Sequence, residues 1–169
     1  MIAAFMALGF AVLSFVSLAF KFVSLTMKSG GANSVENGSL SEWGDILDSS
    51  EMYEKMSNCN FGLWKFSHAL MFIALVVIAV VGVLAFVQLF VEHKALALAT
   101  KITGIVSIVL TAAFIVCFVI GGGLASFSQT EFGQTISVTF LPHVGPIMLT
   151  LFGILSAIFA LISNKKRKI

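Results

Sequence analysis

The sequence predicts an all-α integral membrane protein, a four-helix transmembrane bundle with a small extracytoplasmic cap of short helices and two short strands. Three observations carry this. Of 169 residues, 59% are hydrophobic and 11% charged, against about 45–50% apolar and about 25% charged in a typical soluble domain. Mean hydropathy is +1.05. The apolar residues also gather into four long runs separated by polar segments. One water-soluble core cannot hide that much apolar surface. An ordinary cytosolic enzyme, a disordered chain and a nucleic-acid binder are thereby excluded, and a net charge of +2 is too small to imply a polyanionic partner.

A helix needs about 20 predominantly apolar residues to cross the hydrocarbon. Four segments meet that length: 2–27, interrupted only by Lys21; 66–91, with an unbroken apolar run from Ala69 to Val87; 102–126; and 143–162. They must be helical, because an open strand leaves backbone groups unsatisfied in lipid. Residues 1–169 therefore read as one four-span domain with outer loops at 28–65 and 127–142. Ser17-Leu18-Ala19 has the small residues of a signal cleavage site. The run lacks a basic n-region and is too long, so it reads as a retained first span. Lys21 is expected about 30 Å along that helix, near the outer interface, where it can snorkel. The fourth helix is expected to begin near His143 or Pro146, since Pro is tolerated in a first turn.

Lys and Arg placement sets the orientation. Lys94 and Lys101 lie in the second loop, and Lys165, Lys166, Arg167 and Lys168 follow the last span. The first loop carries Glu36, Glu42, Asp45, Asp48, Glu51 and Glu54, and the third only Glu131. Both termini are accordingly expected in the cytoplasm.

The centres of all four spans lack Asp, Glu, Lys and Arg. Ionisable groups inside a membrane mark proton relays, ion paths and substrate sites, so a proton-coupled transporter or ion pump is disfavoured. No H-E-x-x-H or paired-Asp pattern appears. His68 and His143 open the second and fourth spans, but two His make an incomplete zinc site. No cofactor or metal is expected. Cys59 sits in a polar loop and Cys117 in an apolar run, so both are expected to be unpaired.

Small residues are better organised. Ala3, Ala7, Ala11 and Ser14 form one stripe on the first span; Thr103, Ser107 and Thr111, then Cys117, Gly121 and Ala125, lie on the third; Gly153 and Ala157 lie on the fourth. Small-x-x-x-small stripes let helix backbones approach closely in lipid, within one bundle or between protomers. The residues singled out for packing or oligomerisation are Ala3, Ala7, Ala11, Ser14, Ser107, Thr111, Gly121, Ala125, Gly153 and Ala157.

The first outer loop is too long for a connector. Ser29-Gly30-Gly31-Ala32-Asn33-Ser34 reads as flexible, and Asn37-Gly38-Ser39 is a glycosylation sequon. Ser39-x-x-Glu42 reads as a capping box, followed by Leu40, Trp43, Ile46 and Leu47 at helical spacing. A second short helix is expected over 51–56. Residues 134–140 alternate, with Ile136, Val138 and Phe140 on one side. Residues 58–64 partly alternate, with Cys59, Phe61 and Leu63 together. These two segments are expected to pair. Trp43, Tyr53, Phe61, Trp64, Ile136, Val138 and Phe140 are the candidate outer-loop contact residues, set either against a partner or membrane surface or within the loop itself.

Four spans, both termini inside, a longer first outer loop, Trp43 and Gly62-Leu63-Trp64 resemble the claudin and peripheral-myelin-protein tetraspans. That family also carries two disulfide-linked loop cysteines. Here Cys59 precedes the tripeptide and none follows it in the loop. The resemblance implies adhesion, barrier or auxiliary-subunit roles. The functional expectation is a non-enzymatic tetraspan that self-associates or serves as an accessory subunit, with the lipid bilayer and a second copy or another membrane protein as partners. The alternative is a small oligomeric channel or transporter, with Thr103, Ser107 and Thr111 lining a path and Gln88 at its inner end.

Overall fold

The computed structural model describes residues 1–57, 59–131 and 134–165. The described residues are mostly helical. Its elements run α1 (Ile2–Val16), a 3-10 turn (Ser17–Ala19), β1 (Val23–Ser29), β2 (Ala32–Gly38), α2 (Leu40–Asp48), α3 (Ser50–Met56), α4 (Gly62–Val87), α5 (Lys94–Ala125), β3 (Phe127–Glu131), β4 (Gln134–Pro142) and α6 (Val144–Lys165). Among the described residues, four stretches are long and apolar enough to cross a membrane: Ile2–Ala19, Gly62–Val87, Lys94–Ala125 and Val144–Asn164. The shortest has 18 residues. At 1.5 Å per residue it reaches about 27 Å, close to the hydrocarbon thickness.

The first span is shorter than expected. It ends at Ala19, and residues 23–29 form a strand instead. Val23, Leu25 and Met27 alternate with Ser24, Thr26 and Lys28, which is strand periodicity; counting apolar residues merged it with the helix. Lys21 is therefore not a snorkelling helix residue. It lies just before β1, with its Nζ 3.9 Å from Glu42 Oε2. In the other direction, α5 begins at Lys94 rather than at 102. Ala95 to Ala99 are good helix formers, and the His93 Nδ1 accepts the Ala95 N–H at 3.2 Å.

The strands form one antiparallel sheet in the order β2-β1-β4-β3. β4 was expected, but its partners are β1 and β3, not 58–64. Asn58 lies outside the described residues. Gly62 instead opens α4, its N–H held by the Asn60 Oδ1 at 2.8 Å. The stretch expected to be flexible holds a tight hairpin. Ser29 pairs with Ala32, and Gly30 and Gly31 between them adopt φ of 54° and 87°. Positive φ at both central residues is the type I′ requirement, which glycine meets without steric cost. The capping box is present. Glu42 N–H reaches Ser39 Oγ at 3.4 Å, and the Glu42 carboxylate accepts the Ser39 N–H.

The chain divides into two compact units. The first comprises Met1–Ser17, Leu70–Phe114 and Met148–Ile169. Ala7, Val81, Ala85 and Ala160 form its buried centre. Close helix approach here depends on small side chains. A Cβ on Gly82 would lie 2.8 Å from the Ala11 Cβ, and one on Gly153 would lie 2.7 Å from the Ile78 Cδ1. Polar groups in this unit bond to carbonyls: Ser156 Oγ to Ala7 O at 2.8 Å, Asn164 Nδ2 to Ala97 O at 2.6 Å and Gln88 Nε2 to Leu96 O at 3.0 Å.

The second unit comprises Leu18–Ala69 and Ile115–Ile147. It contains the sheet, α2, α3 and the adjoining turns of α4, α5 and α6. Its backbones also meet closely: a Cβ on Gly121 would lie 2.8 Å from the Trp64 backbone nitrogen, whereas one on Gly123 would meet nothing within 4 Å. Gly121→Ala is therefore expected to destabilise the fold by about 1–3 kcal/mol through overpacking. Gly123→Ala is expected to be neutral or stabilising by up to about 1 kcal/mol through helix propensity. Unfolding of both variants in detergent micelles checks the pair, and equal shifts would refute the close α4–α5 contact.

Candidate functional site

The densest chemistry in the second unit is aromatic. Trp43 on α2 stacks on Phe22 at 6.0 Å and meets Phe118 of α5 edge-on at 4.8 Å. It meets His68 of α4 edge-on at 4.6 Å and Trp64 at 5.9 Å. Trp64 in turn packs on Phe140 of β4 at 4.9 Å, Phe118 at 5.8 Å and Phe61 at 5.9 Å. Tyr53 on α3 joins through Phe61 and Phe127. Edge-to-face and offset pairs add about 0.5–1.5 kcal/mol each beyond their burial. The Trp43 and Trp64 indole N–H groups are buried with no hydrogen-bond partner, so ring packing alone holds these two side chains.

The structure places the predicted contact residues unevenly. Trp43, Phe61 and Trp64 are fully buried, and Val138 and Phe140 nearly so. Tyr53 is half-buried, and Ile136, at 41%, is the exposed one. The buried five are core of this unit and are not presented outward. Phe22, His68 and Phe118 complete the cluster. Nothing in their local patterns marks them, because they meet Trp43 from positions remote in sequence.

The small-residue positions are buried as well. Ala7, Ala11, Ser14, Ser107, Thr111, Gly121, Ala125, Gly153 and Ala157 all lie inside, with Ala3 half-buried and its neighbour Ala4 fully buried. Their contacts include other helices of the same chain: Ala11 faces Gly82, and Thr111 faces Gly153. Thr103 and Thr111 of the hydroxyl row on α5 turn onto their own helix backbone. Thr103 Oγ1 bonds Ala99 O at 2.8 Å, and Thr111 Oγ1 bonds Ser107 O at 2.6 Å. Gln88 Nε2 also reaches Thr100 Oγ1 at 2.7 Å. The Ser107 hydroxyl is buried without a partner.

His143 gives its backbone N–H to Phe22 O at 3.0 Å. Among the described residues no group of three or more His, Cys, Asp or Glu side chains gathers to hold a metal ion. Cys59 and Cys117 are both free thiols. The Cys59 Sγ lies 3.1 Å from Ser57 Oγ. A groove of about 230 Å³ runs between the first hairpin and α2, lined by Val23, Leu25, Glu36, Glu42, Asp45 and Ile46. The basic tail at 166–168 lies outside the described residues.

The Glu42 carboxyl is held below its usual range. The Ser39 backbone N–H is the main cause, followed by the Ser39 hydroxyl and the Lys21 ammonium. The chain matches no protein-family model, and no curated protein matches its sequence.

Two outcomes follow from this geometry. Trp43→Ala is expected to lower stability by about 3–5 kcal/mol, and Trp43→Phe by less, because the indole N–H makes no bond to lose. Denaturant unfolding in micelles checks it, and a near-neutral Trp43→Ala would show the cluster to be incidental. A carboxyl whose folded pKa is depressed stabilises above its unfolded pKa and loses that contribution as pH falls through the folded value. Wild type should therefore lose stability more steeply than Glu42→Gln as pH falls below the ordinary carboxylate range. Superimposable pH profiles would rule out this contribution of the capping carboxylate.

Proposed function

We propose that this chain is a non-enzymatic multi-pass membrane protein that works through self-association or as an accessory subunit of a membrane complex. The observation that carries this is how its intramembrane polar groups are used. The centres of the spans hold no Asp, Glu, Lys or Arg, and Ser14, Thr103, Thr111, Ser156 and Asn164 bond to carbonyls of the chain itself, leaving Ser107 as the one unbonded hydroxyl of the α5 row. Ser and Thr that bond back to their own helix offer no coordinating row to a passing ion or solute. That favours a structural part over a conducting one.

The side chains outside the spans supply the recognition surface. Lys94 and Lys101, with the basic tail, set the second loop and both termini in the cytoplasm by the positive-inside rule, leaving the sheet with α2 and α3 on the opposite side. The resemblance to claudin and peripheral-myelin-protein tetraspans rests on Trp43 and Gly62-Leu63-Trp64. The two Trp rings lie 5.9 Å apart, so the motif residues share one cluster. That resemblance points to the same adhesive or auxiliary class.

Crosslinking in native membranes, followed by gentle extraction, tests the reading. The expected result is species heavier than the 18.1 kDa chain, containing further copies or a stable companion polypeptide. A lone monomer throughout would overturn it. Ion or small-solute flux in liposomes of purified protein would instead support the channel reading.

A further inference from the structure

We propose that β2 is a homodimerisation edge: strand Ala32–Gly38 pairs antiparallel with the same strand of a second copy, Val35 against Val35, merging two four-stranded sheets into one. This rests on the self-association reading and names its surface. In the order β2-β1-β4-β3, β2 is an outer strand. It is seven residues long, and Ala32 to Asn37 are all exposed. Natural edge strands are protected by charged side chains, above all lysine, and by proline, bulges or brevity; the charge on β2 is Glu36 alone. β2 has no Lys or Pro, and its pairing with β1 is unbroken over its full length. The opposite edge, β3, has five residues.

The phase of the hairpin decides which backbone groups face outward. A two-residue turn makes its flanking residues a hydrogen-bonded pair. Ser29 and Ala32 are that pair. Ala32, Ser34, Glu36 and Gly38 thus bond to β1, and the Gly38 carbonyl also takes the Phe22 N–H at 2.7 Å. Asn33, Val35 and Asn37 turn their N–H and C=O groups to the open edge.

A second copy fits that edge in one register best. Centring the pair on Val35 sets Asn33 opposite Asn37, so every outward N–H and C=O meets its complement. Sliding by one residue would bring inward-bonded residues to the edge and leave the outward groups unmatched. Sliding by two, to centre on Glu36, would set carboxylate against carboxylate, which is unfavourable for directly opposed like charges. In the Val35 register Glu36 lies opposite Ser34, a hydroxyl donor. Val35, 60% exposed, would be covered by its own counterpart, and the Asn33 and Asn37 amides can bond across the seam.

Val35→Pro is the decisive variant. Proline removes only an outward N–H at this position, so β1 pairing survives. Far-UV circular dichroism should match wild type. The dimer in nanodiscs or mild detergent should dissociate about tenfold more readily or more, from the loss of two reciprocal backbone bonds. Val35→Lys, with β1 pairing likewise intact, should act the same way. In a background lacking Cys59 and Cys117, Val35→Cys should give a disulfide-linked dimer under mild oxidation, and Thr130→Cys on β3 should not. A wild-type dimer that Val35→Pro and Val35→Lys leave intact, with no Val35→Cys crosslink, would overturn the edge assignment while sparing self-association. Wild type that is monomeric in membranes would overturn both.

Discussion

A backbone N–H or carbonyl left unpaired in hydrocarbon costs several kcal/mol. That constraint sorts this sequence more completely than any side-chain preference. The four apolar runs become helices, which satisfy their own backbones, and several helix-borne polar groups bond to carbonyls within the same unit. Ser156, Asn164, Gln88 and Thr111 each donate to a carbonyl. The alternating segments, too polar to join the spans, pair with one another. β1 comes from early in the chain and β4 from late, yet they run together over seven residues.

Within the second unit the aromatic cluster converts that pairing into a fixed body. Trp43 of α2, Trp64 of α4, Phe118 of α5 and Phe140 of β4 all meet around a common centre. Glycine permits this where backbones converge. Gly121 lies against the Trp64 backbone, and Gly145 against the ring of Phe22. The consequence for function is subtractive. With Trp43, Phe61, Trp64 and Phe140 spent on the interior, what remains outside is the rims of the sheet, its outward Ser, Thr and Asn side chains, and the charged face of α2.

Much of this was legible in the sequence. The second and fourth spans are where apolar density puts them, to within a few residues. Ser39-x-x-Glu42 announced α2, and Glu51 to Met56 announced α3, because capping and helical spacing are local signals. The failures were of two kinds. At 20–27 two periodicities adjoin, and apolar content alone joined them, hiding β1 and the Gly30-Gly31 turn. Phase was the other. Ala3, Ala7 and Ala11 make a regular stripe, yet the packed face runs through Ala4, Ala7 and Ala11. Strand partners and the inward turn of Trp43 depend on segments far apart in the chain, so no local pattern around Trp43, Phe118 or β4 carries them.

Four crossings would also fix sidedness, and sidedness is directly measurable. In a background lacking Cys59 and Cys117, single cysteines replace Asn33 on β2, Thr135 on β4 and Glu92 between α4 and α5. A membrane-impermeant maleimide is then applied to sealed, oriented vesicles. Four crossings predict that the cysteines at 33 and 135 react together from one face, and that the cysteine at 92 reacts only from the other. Labelling of all three from the same face would contradict a four-span protein and the division of labour built on it.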